Sequence, residues 1–224
     1  MNTPHTKYQY AAVASDMAIF TVQDNELKVL LIQMKKAPFT GMWALPGGLV
    51  GPQESINDAA KRILLEKTGV DNVHLEQCGA FGRVDRDPFG RVVSVAYMAL
   101  MPSDRVGLKT TEEYGSVAWF PASFVPALAY DHKEVLAAAI SQMKQRLMHS
   151  NVAYSLLPAE FTLTELQRLY EIILGKKLDK RNFRKRMLSL GMLKETGKKR
   201  QGSVSRPAVL FRFIKHKLAF LRVL

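Results

Sequence analysis

GLVGPQESINDAAKRILLEKTGV, residues 48–70, carries a helical pattern between a glycine-rich start and a glycine stop. Ile56, Ala59, Ala60, Ile63 and Leu64 recur at helical spacing, so residues 55–69 are expected to form a helix with one apolar stripe. Gly69 is placed to end it, because glycine enters the left-handed conformation without a Cβ penalty. Arg62 and Glu66 stand four residues apart. On spacing alone that pair is an ordinary surface ion pair contributing a few tenths of a kcal/mol.

Working outward, WALPGG (43–48) leads into the stretch as a glycine-rich loop, and AAVASDMAIFTV, QDNE and LKVLLIQM (11–34) read as strand, turn and strand. Downstream, apolar β-rich stretches at 73–82, 91–101 and 117–120 precede a helix from Asp131 to about Met148. A strand-rich sheet with flanking helices describes an α/β domain over residues 1–150. Between two of those strands lies FGRVDRDPFGRVV, which carries Arg83, Asp85, Arg86, Asp87 and Arg91. Guanidinium groups fork onto anionic oxygens, so Arg83, Arg86 and Arg91 are candidates for a diphosphate; the plainer alternative is a charged hairpin loop in solvent. Trp43, Phe81 and Phe89 are candidates either to stack a base or to fill core. His132 reads more simply as part of a helix start than as a chemical group.

The pattern changes after HSNVAYSLLPAE (149–160), which serves as the connection to a second domain over 151–224. Thr162 and Glu165 make a capping box, Phe161 and Leu166 stand at the positions of a hydrophobic staple, and Leu166, Leu169, Tyr170, Ile173 and Leu174 form a stripe that Gly175 closes. A second helix runs from Asp179 to Gly191, with Phe183, Met187 and Leu190 facing inward, Arg181 and Lys185 roughly opposite, and Lys180, Arg184 and Arg186 flanking. MLKE is expected as a strand, GKKRQGSVSRPA as a basic loop and VLFRF as the return strand. Helix, turn, helix and a hairpin with a charged tip is the order of a winged helix. Asn182, Arg181, Lys185 and their neighbours suit the major groove, and Lys198, Lys199, Arg200 and Arg206 suit phosphates or the minor groove.

Charge supports that division. Residues 1–150 hold 15 Lys+Arg and 15 Asp+Glu, whereas residues 151–224 hold 17 and 5, so the whole net charge of +12 falls in the last third. A phosphate duplex attracts such a surface; the alternative is a solubilising basic segment, against which the regular apolar spacing argues. No apolar run reaches the roughly 18 residues of a membrane span, and no secretory signal is read at the start, so a cytoplasmic protein with no membrane partner is expected. The single cysteine, Cys78, fits a reducing compartment and reads as a small apolar residue.

The 48–70 stretch resembles the Nudix box, with Gly48, Glu54, Arg62, Leu64, Glu66, Gly69 and Val70 in register. Together with YDHKEVL (130–136) and FTLTELQRLYEIILGKKLDKRNFRKRML (161–188), the chain resembles the Nudix-related transcriptional regulators of NAD metabolism over nearly its whole length. The resemblance implies a Nudix domain, a mixed sheet in an α/β/α sandwich, followed by a winged helix-turn-helix domain. It also implies a homodimer on double-stranded operator DNA near NAD-synthesis or salvage genes, with ADP-ribose as effector and no cofactor required. Pyrophosphate hydrolysis needs divalent metal held by converging carboxylates. Here Ile63 and Lys67 stand where the box has glutamates, leaving Glu54 and Glu66. Neither a catalytic set nor a metal set is therefore assigned, and weak or absent hydrolysis is expected. Trp43, Glu54, Arg62, Glu66, Lys67, Arg83, Arg86 and Arg91 are the candidate ligand contacts, Lys67 by setting a positive charge against a diphosphate in place of metal.

Two other readings stay open: an active Nudix hydrolase with an accessory basic domain, and a regulator of the same architecture that answers to a sugar.

Overall fold

The computed structural model describes residues 10–69, 73–105, 114–200 and 207–224. β1 (Ala12–Gln23) and β2 (Glu26–Met34) form a hairpin whose two central turn residues, Asp24 and Asn25, both have positive φ (54° and 61°). This mirror-image turn matches the twist of the strands it joins. The short strands β3 (Trp43–Ala44) and β4 (Gly47–Leu49) lie within what the sequence suggests is only a glycine-rich loop. Helix α1 (Ile56–Thr68) follows, capped by the Ser55 side chain and ended by Gly69 at φ 69°. β5 (His74–Phe81), β6 (Val92–Leu100) and β7 (Tyr114–Pro121) complete the sheet, and α2 (His132–His149) closes this half.

The sheet is mixed, in the order β3-β2-β1-β6-β5, with β4 added on β1 and β7 on β2. β1 and β6 run parallel over nine residue pairs, and the other pairings are antiparallel. Central β1 is buried on both faces, which is why it reads as a nearly continuous apolar run. One face packs Ile19, Leu30 and Tyr97 against Ala60, Ile63 and Leu64 of α1. The other packs Phe20, Leu31 and Met98 against Val135, Ala139 and Met143 of α2. That arrangement is the expected α/β/α sandwich.

After residue 150 a 3-10 turn (Val152–Ser155) leads into β8 (Phe161–Thr162), α3 (Leu163–Leu174), α4 (Lys180–Ser189), β9 (Leu193–Arg200) and β10 (Ala208–Phe213). β8, β10 and β9 pair in that order. The predicted capping box forms: Thr162 Oγ1 accepts the Glu165 N–H at 3.2 Å and Glu165 Oε2 accepts the Thr162 N–H at 2.7 Å. Asp179 caps α4, and Phe183 and Met187 are buried as their spacing predicts. β9 is longer than expected. It carries Lys198, Lys199 and Arg200 as strand residues rather than loop residues, because a bulge between Val209 and Phe211 lets the ladder continue to Arg200. Arg206 and Val70 lie outside the described residues.

The α2-side core does not stop at residue 150. It runs on through Leu166, Tyr170, Phe183, Met187 and Val223 as one buried cluster. Among the described residues no helix is long and apolar enough to cross a membrane.

Candidate ligand pocket and nucleic-acid interface

A cleft of about 790 Å3, its open mouth included, sits where β1, β2 and β4 meet the start of α2. Asp16, Lys35, Lys36, Arg86, Asp87, Tyr130 and His132 supply its polar lining, with Ile32, Ala44 and Leu45 as apolar wall. β4 approaches so closely that a Cβ on Gly47 would collide with the Asp16 carboxylate, so only glycine fits there.

Behind the cleft lies a buried ionic network. Arg86 forks onto Asp131, Nε to Oδ2 at 2.9 Å and Nη2 to Oδ1 at 2.7 Å, and also reaches Asp16 Oδ2 at 2.9 Å. His132 presents Nε2 to Asp16 Oδ1 at 3.5 Å, while its Nδ1 accepts the Leu45 N–H at 2.9 Å. Burial alone would raise the Asp16 pKa, but His132 and Arg86 outweigh it and hold the carboxyl at about 2. Tyr130, in a left-handed conformation at φ 54°, stacks between Phe39 (4.3 Å between ring centroids) and His132 (5.1 Å). Asp16, Tyr130 and His132 are absent from the sequence-derived set of ligand contacts. Asp16 reads there as one polar residue in an apolar strand, and only the fold brings it to Arg86.

Of the predicted ligand residues, Arg86 alone lines the cleft. Trp43 packs edge-on against Phe120 at 4.6 Å, in contact with the α2-side core. Alternation along β3 explains this: Ala44 faces the cleft, so its neighbour faces away. Arg83 pairs with Asp85 and Glu134, and Arg91 donates to the Gly82 carbonyl at 2.8 Å, so both fasten the 82–91 loop instead of lining the cleft. Arg62 forks onto Glu54 at 2.6 and 3.0 Å and reaches Glu66 at 3.4 Å. Glu54 also accepts the Gly51 N–H at 2.7 Å, and the Arg62 bonds and this one lower its pKa to about 2. Lys67 is buried on α1 and does not line the cleft.

The second half offers a cationic face. Lys180, Arg181, Asn182 and Lys185 are exposed on α4, with Arg181 and Lys185 roughly opposite buried Phe183 and Met187. Four of the other predicted DNA contacts, Arg184, Arg186, Lys198 and Arg200, are engaged within the protein. Arg184 donates to Thr164 at 3.0 Å, Lys198 pairs with Glu160 at 3.0 Å, and Arg200 pairs with Glu165. Arg186 donates to the carbonyls of Arg222 and Val223. Lys199 is exposed on β9.

Comparison with known proteins matches residues 14–139 to the NUDIX domain and residues 153–213 to the NrtR DNA-binding winged helix domain. The chain is 39% identical over 209 residues to the ADPR responsive transcriptional repressor NtrR of Acinetobacter baylyi, covering 92% of this chain and 83% of that protein. The chain belongs to the NrtR family. The crystal structure of Shewanella oneidensis NrtR complexed with a 27mer DNA superposes with a TM-score of 0.80 at 35% identity, covering 90% of this chain and 93% of that one. The NUDIX domain of the same NrtR, cocrystallised with ADP ribose, matches with a TM-score of 0.56 at 33% identity, over 63% of this chain and 94% of that one.

Nudix hydrolases hold a divalent cation at the box. The residues of this NrtR-family chain do not fit one. Ile63 points into the core beside Gly48, both Glu54 oxygens are taken by Arg62 and Gly51, and among the described residues no three Asp, Glu, His or Cys side chains are placed to hold a metal ion together.

Proposed function

We propose that this chain is an ADP-ribose-responsive repressor of NAD-synthesis or salvage genes. In this reading residues 1–150 hold the nucleotide without hydrolysing it, and residues 151–224 hold operator DNA, as a homodimer. The observation that carries the reading is the conjunction, in one continuous core, of a charged pocket at α2 that Lys35, Lys36 and Arg86 help to line and an exposed cationic helix α4. Lys35, Lys36 and Arg86 suit the diphosphate, since guanidinium and ammonium groups favour anionic oxygens. Tyr130 adds an aromatic wall beside them. Arg181 and Asn182 face the base edges of the major groove, which bidentate polar side chains read, and Lys180 and Lys185 neutralise the phosphates alongside. An operator with two-fold symmetry is met most simply by two copies of the chain.

The box favours binding over turnover. Its retained carboxylates Glu54 and Glu66 both pair with Arg62, and its two missing glutamates are replaced by a core isoleucine, Ile63, and by Lys67. Calorimetry of the purified chain with ADP-ribose, against free pentoses, together with chromatography of the nucleotide after incubation with magnesium, tests the reading. Binding of ADP-ribose with intact nucleotide is expected. Magnesium-dependent release of AMP would establish the hydrolase instead, and tight pentose binding without nucleotide binding would make the effector a sugar.

A further inference from the structure

Arg186 is exposed on the cationic helix α4, yet its guanidinium is bonded to the protein's own backbone. Nε donates to the Val223 carbonyl at 3.0 Å, and Nη2 donates to the Arg222 carbonyl. A planar guanidinium spans two neighbouring acceptors with separate nitrogens in a rigid fork, a geometry that the single nitrogen of an ammonium does not reproduce.

The segment that carries these carbonyls is fastened at its other edge to the end of α2. The N–H groups of Leu221 and Val223 donate to the carbonyls of His149 (2.9 Å) and Met148 (2.8 Å). Asn151 clamps the approach, accepting the Ala219 N–H at 2.7 Å and donating to the Lys217 carbonyl at 3.1 Å. The Phe220 ring lies 5.0 Å from the Arg146 guanidinium, which is itself paired with Glu76 of β5. Val223 is fully buried in the cluster that also holds Leu147 of α2 and Met187 of α4.

The two ends of α2 therefore meet different things. Its first turn carries Asp131 and His132 of the pocket network, and its last turn holds a strap that leads by two hydrogen bonds to α4. A packed helix with bonded ends transmits displacement as a unit, because close-packed interiors shift between discrete arrangements instead of deforming smoothly.

We propose that Arg186 is a positioning residue and not a DNA contact, and that residues 220–224 are a strap through which α2 sets the placement of α4. The second half of this inference rests on the ADP-ribose reading above; the first half does not. Fluorescence anisotropy of the full chain on duplex DNA, titrated across salt concentrations with and without ADP-ribose, separates them. A lysine on a phosphate contributes about 0.9 to the slope of log affinity against log salt, so Lys185→Gln is expected to lower the slope by that amount and keep the full fold-change caused by ADP-ribose. Arg186→Gln and Arg186→Lys are expected to leave the slope at the wild-type value and to shrink the ADP-ribose fold-change at least fivefold. Val223→Ser, which alters no charge, is expected to shrink it likewise. A slope that falls with Arg186→Gln as it does with Lys185→Gln would make Arg186 a phosphate contact. A full ADP-ribose response in Arg186→Lys and Val223→Ser would leave the strap without a role in coupling. Wild-type DNA affinity indifferent to ADP-ribose would overturn the effector reading and with it the coupling half, while the salt slopes still decide the placement of Arg186.

Discussion

Arg86 and Asp131 form a buried two-bond fork, 2.9 and 2.7 Å long, where the 82–91 loop meets the first turn of α2. The side chains are 3% and 2% exposed, so neither charge has water to fall back on. The same guanidinium holds Asp16 on β1, and one side chain thereby joins strand, loop and helix at the floor of the pocket.

Removing that side chain strands two buried carboxylates. Breaking a buried pair from one side costs about 3–5 kcal/mol. Arg86→Ala is expected to lose stability on that scale in urea unfolding and to lose ADP-ribose binding in calorimetry. A variant within 1 kcal/mol of wild type would mean that Asp16 and Asp131 find other partners.

Acid should act on the same network. The Asp16 carboxyl titrates at about 2 in the folded chain against an ordinary value of 3.8, the cost of burial being outweighed by His132 and Arg86. A lowered folded value means that its stabilisation is complete above the ordinary value and is lost as pH falls through about 2. The amount is about 2 kcal/mol. Unfolding free energies measured between neutral pH and pH 2 should fall with this step, and Asp16→Asn should flatten it. An acid limb unchanged in the variant would contradict the assignment.

Restoring the glutamate of the box should harm the protein rather than revive it. Ile63 is 1% exposed, with Gly48 against its end, so Ile63→Glu places a carboxyl in the core between α1 and the sheet. A loss of about 3–5 kcal/mol is expected, as for an uncompensated buried charge. Magnesium-dependent ADP-ribose turnover by a stably folded Ile63→Glu would refute this.

At the start of α3 the reciprocal bonds of Thr162 and Glu165 satisfy two helix N–H groups, one of them Thr162's own. Thr162→Ala is expected to cost about 1 kcal/mol, a fall in melting temperature of about 2–4 °C in calorimetric scans. No change would indicate that Arg200, paired with Glu165, keeps the cap by itself.

Local structure was the legible part of the sequence. The spacing of Ile56 to Leu64, the glycine stops at Gly69 and Gly175, and the Thr162–Glu165 box each depend on contacts within a few residues, and each appears where the pattern places it. The Nudix and winged-helix architecture follows from such elements in order. The pocket was less legible because its groups are far apart in the chain: Asp16, Arg86 and Asp131 span 115 positions and meet only through the parallel pairing of β1 with β6. Strand alternation sends Trp43 away from the cleft, and local ion pairs hold Arg83 and Glu54. Composition along α4 identifies a cationic helix, but it cannot tell the outward Lys185 from Arg186, whose partners lie more than thirty residues onward.

The most direct test of the regulator reading is anisotropy of the purified chain on a promoter fragment from an NAD-salvage operon and on a scrambled duplex, with and without ADP-ribose, at near-physiological salt. Tight binding to the promoter fragment alone, and a shift in that affinity when ADP-ribose is added, are expected. Equal affinity for both duplexes, unmoved by ADP-ribose, would contradict the regulator reading.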